Sequence, residues 1–148
     1  MKRITALLYH DFTALDALGP LEVLGRLPGY EIRYASLFGG PVSNEKGLVV
    51  MTEALSSPGP GDILLIPGGM GSRQLVLQDD FLAALRKAAL ESTLVMTVCT
   101  GSALAAAAGL LDGLHATGNK RAFDWTMSMG KKVLWQRNAR WTRDGKFY

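Results

Sequence analysis

Short apolar runs alternate with helix-forming segments along this chain. Runs of apolar, partly β-branched residues predict four buried strands, at 4–9, 31–38, 63–66 and 94–98. Helical spacing, a proline suited to a first helical turn, or a high alanine content predicts helices at 20–26, 81–90 and 101–108. This alternation predicts an α/β fold in which a mainly parallel sheet carries helices on both faces.

Two turns predict hairpins outside that alternation. A strand at 47–51 is expected to belong to a small hairpin after the Gly39-Gly40-Pro41 turn. At the carboxyl end, residues 140–148 predict a hairpin around Asp144-Gly145, with only three residues in its second strand. Because a domain rarely stops within a strand, we expect the chain to be part of a longer protein.

Length and composition limit the class of protein. The 148 residues are enough for one domain, 1–148, with a substantial core. The single cysteine excludes an internal disulfide framework and is typical of a reducing compartment, so we predict a cytoplasmic protein. Residues 1–8 are too short an apolar run for a signal peptide, and no segment has the length of a membrane span.

Charge is unevenly distributed along the chain. Residues 1–119 hold 8 basic and 11 acidic side chains, whereas residues 120–148 hold 8 basic and 2 acidic ones. The basic residues are scattered among Trp125, Trp135 and Trp141 and form no recognisable nucleic-acid motif. We therefore expect a solvated face, or one that meets an acidic segment, rather than nucleic-acid binding.

Cys99 is the leading candidate for chemistry. It lies where the strand at 94–98 passes into the alanine-rich helix at 101–108. A sharp strand-to-helix turn places its residue at the carboxyl edge of the sheet and at the positive end of the helix dipole, which favours a nucleophilic thiolate. An inert buried cysteine that packs as a small apolar side chain is an equal alternative at this point.

Two carboxylates and one glycine-rich loop are candidate partners of Cys99. Asp16 lies at the carboxyl end of the first strand, where an apolar pocket would raise its pKa, although it could also cap a helix. Glu22 is six residues further on, and spacing alone does not rank the two acids. The loop at 67–71 contains three glycines, and its free N–H groups could stabilise negative charge beside the cysteine.

Histidines and metal ligands carry little weight in this chain. His10 is predicted to lie on the surface, and His115 is predicted to be structural. Thr100, not histidine, follows Cys99, which disfavours a Cys-His protease dyad. No group of residues has metal-ligand spacing, and we predict neither a metal nor an organic cofactor.

Three segments together resemble the ThiJ/PfpI superfamily, which is related to class I glutamine amidotransferases. They are DFTALDALGPLEVL at 11–24, ILLIPGG at 63–69 and VCTGSALAAAAGLLDGLH at 98–115. Within that superfamily the chain is most similar to the isocyanide hydratase group. The resemblance implies a flavodoxin-like sandwich, a homodimer, and further strand and helix elements after residue 148 that this chain does not contain.

The resemblance also implies roles for individual residues. Cys99 would be the nucleophile in a strained elbow, and Asp16 the carboxyl group bonded to its sulfur. Thr100 would help hold the site, the backbone N–H groups of Gly69 and Thr100 would stabilise developing negative charge, and Met70 would line the substrate site. Cys99 would attack the isocyanide carbon, and Asp16 would move the protons that lead to an N-formamide.

Two other functions remain open at this point. Cys99 could be a redox-sensing thiol, or the chain could be the ligand-sensing domain of a transcription regulator.

The segment at 117–120, Thr-Gly-Asn-Lys, departs from the Thr-Thr-His-Trp of many hydratase-like members, so the resemblance does not fix the substrate.

Overall fold

The computed structural model describes residues 1–148 and has a six-stranded sheet at its centre. The strands are β1 (Lys2–Leu7), β2 (Tyr30–Ser36), β3 (Gly40–Ser43), β4 (Val49–Ala54), β5 (Ile63–Ile66) and β6 (Leu94–Thr97). Their order across the sheet is β3-β4-β2-β1-β5-β6, and only the β3–β4 pair is antiparallel. The predicted mainly parallel α/β sheet is therefore confirmed.

The connections place helices on both faces of this sheet. The helices are α1 (Ala14–Leu24), α2 (Ser72–Leu75), α3 (Asp79–Glu91), α4 (Gly101–Ala107) and α5 (Phe123–Ser128). The chain steps outward from β1 to β2 in one direction and from β5 to β6 in the other. Right-handed crossovers therefore put α1 and α3 on opposite faces, and the switch between β1 and β5 opens a crevice at their carboxyl ends.

The core lies around β1 and β5. All four residues of β5 are buried, and Ile4 of β1 lies in register with Ile32 on one side and Ile63 on the other. Helix α4 is buried from Gly101 to Ala106, and it contacts α2, α3 and α5. Small side chains let these helices approach closely, which fixes the start of α4 against the end of β5. None of the helices is both long and apolar enough to cross a membrane.

The predicted start of the first helix is wrong. The helix begins at Ala14 rather than at residue 20, and Pro20 lies inside it. The first turn is already closed by the Asp16 N–H, which donates to the Thr13 carbonyl at 3.1 Å. Burial of Ala17 and Leu21, four residues apart on one face, offsets the cost of the proline. Asp16 is therefore a first-turn residue of the helix.

The two hairpins have different outcomes. The first is confirmed as β3 and β4, although its second strand covers Val49–Ala54 rather than 47–51. At the carboxyl end the Asp144-Gly145 turn forms, but residues 140–143 are not a strand. The residues after the turn pair with β6 instead: Lys146 and Tyr148 exchange backbone hydrogen bonds with Val95 in a parallel arrangement.

Several short elements were not predicted. They include α2, α5 and a two-stranded parallel sheet of β7 (His115–Ala116) and β8 (Leu134–Trp135). Each is too short for its apolar residues to repeat with a recognisable period. They matter to the site because β7 leads directly into residues 117–120.

Candidate active site

Three loops meet at the crevice between β1 and β5. The Thr13 N–H donates to the Gly68 carbonyl at 2.8 Å, and the Gly68 N–H donates to Asp16 Oδ2 at 3.2 Å. The Gly69 N–H donates to Thr100 Oγ1 at 3.0 Å. These bonds tie together the segments that follow β1, β5 and β6, as the parallel-sheet prediction requires.

Cys99 occupies a strained elbow between β6 and α4. Its φ is 57°, in the left-handed region, and Asp11 is the only other non-glycine residue with a positive φ. Such a conformation costs about 1–3 kcal/mol and persists where the surrounding structure enforces it. The side chain is half-buried. The turn therefore holds the sulfur at the crevice instead of letting it pack into the core.

The elbow depends on a close approach at Gly101. A Cβ at this position would overlap the Ile66 carbonyl oxygen, which is backbone and cannot swing aside. We expect Gly101→Ala to lower the free energy of unfolding by about 3 kcal/mol, the upper end of overpacking effects. Urea denaturation measures this change in the free energy of unfolding.

Gly59→Ala is the control. Its new Cβ would lie 3.6 Å from the nearest atom, so we expect a change within about 0.5 kcal/mol. Equal losses in the two variants would contradict a close approach at Gly101.

Two donors act on the Cys99 sulfur. The Asn119 side-chain amide donates to Sγ at 2.9 Å, and the nearby Thr100 backbone N–H lowers the pKa of the thiol. The Asn119 amide is oriented by the Ala122 N–H, which donates to Oδ1 at 2.9 Å and leaves Nδ2 facing the sulfur. Asn119 lies in the segment 117–120, which departs from the family pattern, and its contact with Cys99 was not predicted.

Cys99 and Asp16 form a coupled pair of acids. Burial raises the pKa of the Cys99 thiol, and the neighbouring Asp16 charge raises it further, although the Thr100 and Asn119 donors partly offset both. Burial also raises the pKa of Asp16, against the Gly68 N–H and the Cys99 thiol, which lower it. Two negative charges at one half-buried site repel each other, so the groups titrate as a pair.

This balance differs in part from the prediction. The raised pKa of Asp16 is as expected for a carboxyl group in an apolar pocket. For Cys99 we expected the helix start to favour the thiolate, but desolvation and the Asp16 charge outweigh it and the pKa is raised. The balance favours a single proton shared between the two groups over a freely exposed thiolate.

Tyr9 is a buried neighbour of this pair that was not predicted. Its hydroxyl donates to the Pro67 carbonyl at 2.7 Å, and the residue is 5% exposed. Burial, with further contributions from the Asp16 and Cys99 charges, raises the pKa of Tyr9 above its ordinary range. The phenol therefore stays protonated and holds the turn after β5 in place.

The predicted binding residues lie together, with one change. Thr100 is buried, and its Oγ1 accepts hydrogen bonds from the Gly69 N–H and from Ser72 Oγ. The Gly69 N–H, predicted to be free for substrate charge, is therefore engaged by Thr100. Met70 is 58% exposed and lies with Gly69, Thr100 and Cys99 around a cavity of about 220 Å³.

The other candidates lie outside the site. The Glu22 side chain is 81% exposed and pairs with Arg26 at 3.8 Å. Glu22 therefore does not share the role of Asp16 beside Cys99. His10 is exposed and contacts Ser43 Oγ at 3.2 Å. His115 Nδ1 lies 3.0 Å from Asp144 Oδ2, a pair that ties β7 to the final turn, as the structural interpretation predicts.

An open cleft of about 920 Å³ is lined in part by Cys99. Cys99 and Asn119 line both this cleft and the smaller cavity. The larger cleft is bordered by Val98, Trp141 and Tyr148, and by the basic side chains of Lys120, Arg137 and Arg140. The volume suits a small organic molecule, and Cys99 borders both spaces.

These features define an α/β protein with a strained cysteine elbow at the carboxyl edge of its sheet, beside the switch point. The chain belongs to the DJ-1/PfpI family, whose family model matches residues 2–147. It is 31% identical over 147 residues to an isonitrile hydratase from Pseudomonas putida, a match that covers 99% of this chain and 63% of the hydratase.

Solved structures agree with that family. A ThiJ/PfpI family protein from Pseudomonas syringae has a TM-score of 0.85 and 27% identity, over 99% of this chain and 60% of that protein. An AraC family transcriptional regulator from Pseudomonas putida has a TM-score of 0.75 and 19% identity, over 99% of this chain and 82% of the regulator. The second shows a shared fold alone. The chain spans less than two thirds of the hydratase and of the Pseudomonas syringae protein.

Proposed function

We propose that the protein hydrates a small electrophile through Cys99, and that this electrophile is an isocyanide converted to an N-formamide. The observation that carries the proposal is the left-handed Cys99 elbow with the Asp16 carboxyl group beside its sulfur. The 31% identity to an isonitrile hydratase supports the choice of substrate, since isonitrile and isocyanide name the same functional group.

The pair can perform both halves of the reaction. In the first, the sulfur attacks the isocyanide carbon and forms a C–S bond, while the proton shared with Asp16 is delivered to that carbon, which gives a thioimidate. In the second half, the Asp16 carboxylate takes a proton from a water molecule while the oxygen of that water bonds to the same carbon. Protonation of nitrogen and cleavage of the C–S bond then release the formamide and return the sulfur. One water is consumed and no electrons are exchanged.

Space around the sulfur matches this chemistry. The reacting carbon must lie against Sγ, and the organic substituent must extend away from it. The open cleft provides room for that substituent beside Val98 and Trp141. Burial raises the pKa of Asp16, which makes this carboxyl group a better proton acceptor than an exposed aspartate and suits it to give a proton and take one back.

The test is the consumption of an aryl isocyanide by purified protein. Ultraviolet absorbance follows the loss of substrate, and proton nuclear magnetic resonance identifies the product as the N-formamide. Protein alkylated at Cys99, the only cysteine, is the control. We expect formamide from the free thiol and none from the alkylated protein. A folded, reduced protein that consumes no isocyanide contradicts the proposed substrate.

Redox sensing is the second candidate that uses Cys99. Peroxide followed by mass spectrometry separates it from hydration, because a sensor is oxidised reversibly at Cys99 without turning over isocyanide. The partial burial of the thiol disfavours redox sensing, since oxidation is fastest at exposed thiolates. The regulator interpretation rests on a shared fold alone.

The homodimer and the cytoplasmic location stay predictions. Sedimentation velocity tests the homodimer.

A further inference from the structure

We infer that Asn119 is a positioning residue that holds the Cys99 sulfur and favours its ionised form. Asn119 Nδ2 lies 2.9 Å from Sγ, a close contact in which the amide N–H donates to the sulfur, and such a donor favours the ionised acceptor. The amide has no negative charge of its own, so its donor acts on the sulfur without competing for the proton that Asp16 shares. The inference rests on the proposed role of Cys99 as the nucleophile.

The orientation of the amide is fixed by the backbone. The Ala122 N–H can only donate, so the atom it contacts at 2.9 Å must be the Asn119 oxygen. The nitrogen then faces the sulfur. An amide held at both ends loses little further freedom when the sulfur ionises, which makes it a preorganised donor.

The position of Asn119 over the sulfur depends on Gly118. A Cβ at residue 118 would overlap Ser102 Oγ and would lie 3.2 Å from Thr126 Cγ2. Ser102 in turn donates to the Cys99 carbonyl at 2.9 Å. The chain after β7 can therefore run directly against the start of α4, and the next side chain, Asn119, reaches the elbow.

The groups around the sulfur act in opposite directions. Asp16 and burial disfavour the thiolate, whereas the Thr100 N–H and the Asn119 amide favour it. The Thr100 donor is a backbone N–H of the elbow, so it is present whatever side chain residue 100 carries. Asn119 is the side-chain donor in this set, so a substitution at this position adjusts how much thiolate the site holds.

The experiment measures the rate of Cys99 alkylation by iodoacetamide from pH 5 to pH 11, with mass spectrometry as the readout. One cysteine in the chain makes the signal unambiguous. In Asn119→Ala we expect the midpoint of the profile to rise by about one pH unit, so that the rate at pH 7 falls about 10-fold. The plateau at high pH is expected to stay within about 3-fold, because the sulfur remains equally accessible.

Two further variants make the result decisive. Asn119→Asp keeps the acceptor for the Ala122 N–H but loses the donor and adds a charge, so its midpoint rises further. Asn138→Ala removes an asparagine from the same cleft that makes no hydrogen bond to the sulfur, and its profile stays that of the original protein. Circular dichroism checks each fold, and if Asn119→Ala does not fold, Asn119→Asp decides.

An unchanged midpoint in folded Asn119→Ala, or in folded Asn119→Asp, overturns the inference. The measurement needs no isocyanide, so its outcome is separate from that of the proposed function. A raised midpoint in a protein that hydrates nothing leaves the role of Asn119 in place and rejects the substrate. An unchanged midpoint in a protein that does hydrate isocyanides rejects the role of Asn119 and leaves the proposed substrate in place.

Discussion

Replacing Cys99 with alanine is expected to reduce isocyanide hydration at least about 10,000-fold, to the rate of the uncatalysed reaction. Loss of a covalent nucleophile removes the pathway instead of slowing one step of it, and effects of this size are typical. The remaining groups, Asp16 and Asn119, can move protons and donate hydrogen bonds, but neither can form the C–S bond. Steady-state rates with the aryl isocyanide measure the loss.

The same substitution is expected to leave the fold unchanged. Alanine keeps the Cβ of Cys99, so the strain at φ 57° is neither added nor relieved. What is lost is the half-buried sulfur with its interactions, among them the hydrogen bond from Asn119 and the contact with Asp16. Thermal unfolding of Cys99→Ala and of Cys99→Ser checks this, and the serine variant tests whether a hydroxyl can replace the thiol. A folded alanine variant with a tenth of the original activity would show that the nucleophile is elsewhere.

The sheet could be predicted from sequence because its strands carry a clear signal. The Ile63–Ile66 run is entirely apolar and entirely buried, and Gly68 and Gly69 end it where the turn must pass close to other backbone. The predicted start of α1 is wrong because proline is favoured in a first helical turn, whereas Pro20 lies inside this helix. Burial of Ala17 and Leu21, a tertiary effect, decided the true start.

The candidate site was only partly accessible to sequence analysis. A strand end followed by a helix start is a local signal, and it identifies Cys99. Spacing does not rank Asp16 against Glu22, and only the family resemblance assigns Asp16 as the partner of the sulfur. Asn119 was not predicted, because a contact between residues 20 positions apart depends on Gly118 packing against Ser102, which no local pattern encodes. The direction of the Cys99 pKa was also missed, since it is a sum of opposing contributions whose sizes depend on burial.

Asp16→Asn is expected to lower hydration about 100- to 10,000-fold, the range for loss of a general acid–base group. Asparagine has almost the same shape and keeps an oxygen that can accept from the Gly68 N–H, which lies 3.2 Å from Asp16 Oδ2. What it lacks is the ability to give and take a proton. Glu22→Gln is the matched control: its side chain is 81% exposed, and we expect turnover within 2-fold, a change of about 0.4 kcal/mol.

Asp16→Asn is also expected to make Cys99 more reactive toward iodoacetamide. The Asp16 charge raises the pKa of the thiol, so its removal lowers that pKa and moves the alkylation midpoint to lower pH. At pH 7 the thiolate fraction and the alkylation rate therefore increase. This direction is opposite to the one expected for Asn119→Ala, although both side chains touch the same sulfur.

The pair of measurements on Asp16→Asn separates two explanations of any lost activity. If Asp16 acted only by positioning or ionising the sulfur, turnover and alkylation would change together. If it moves protons to and from the reacting atoms, turnover falls while alkylation rises, because the step that fails comes after the thiolate is available. A variant that keeps more than a tenth of its turnover, or whose midpoint moves to higher pH, contradicts the proton-transfer role and leaves Asp16 as a structural contact of the Gly68 turn.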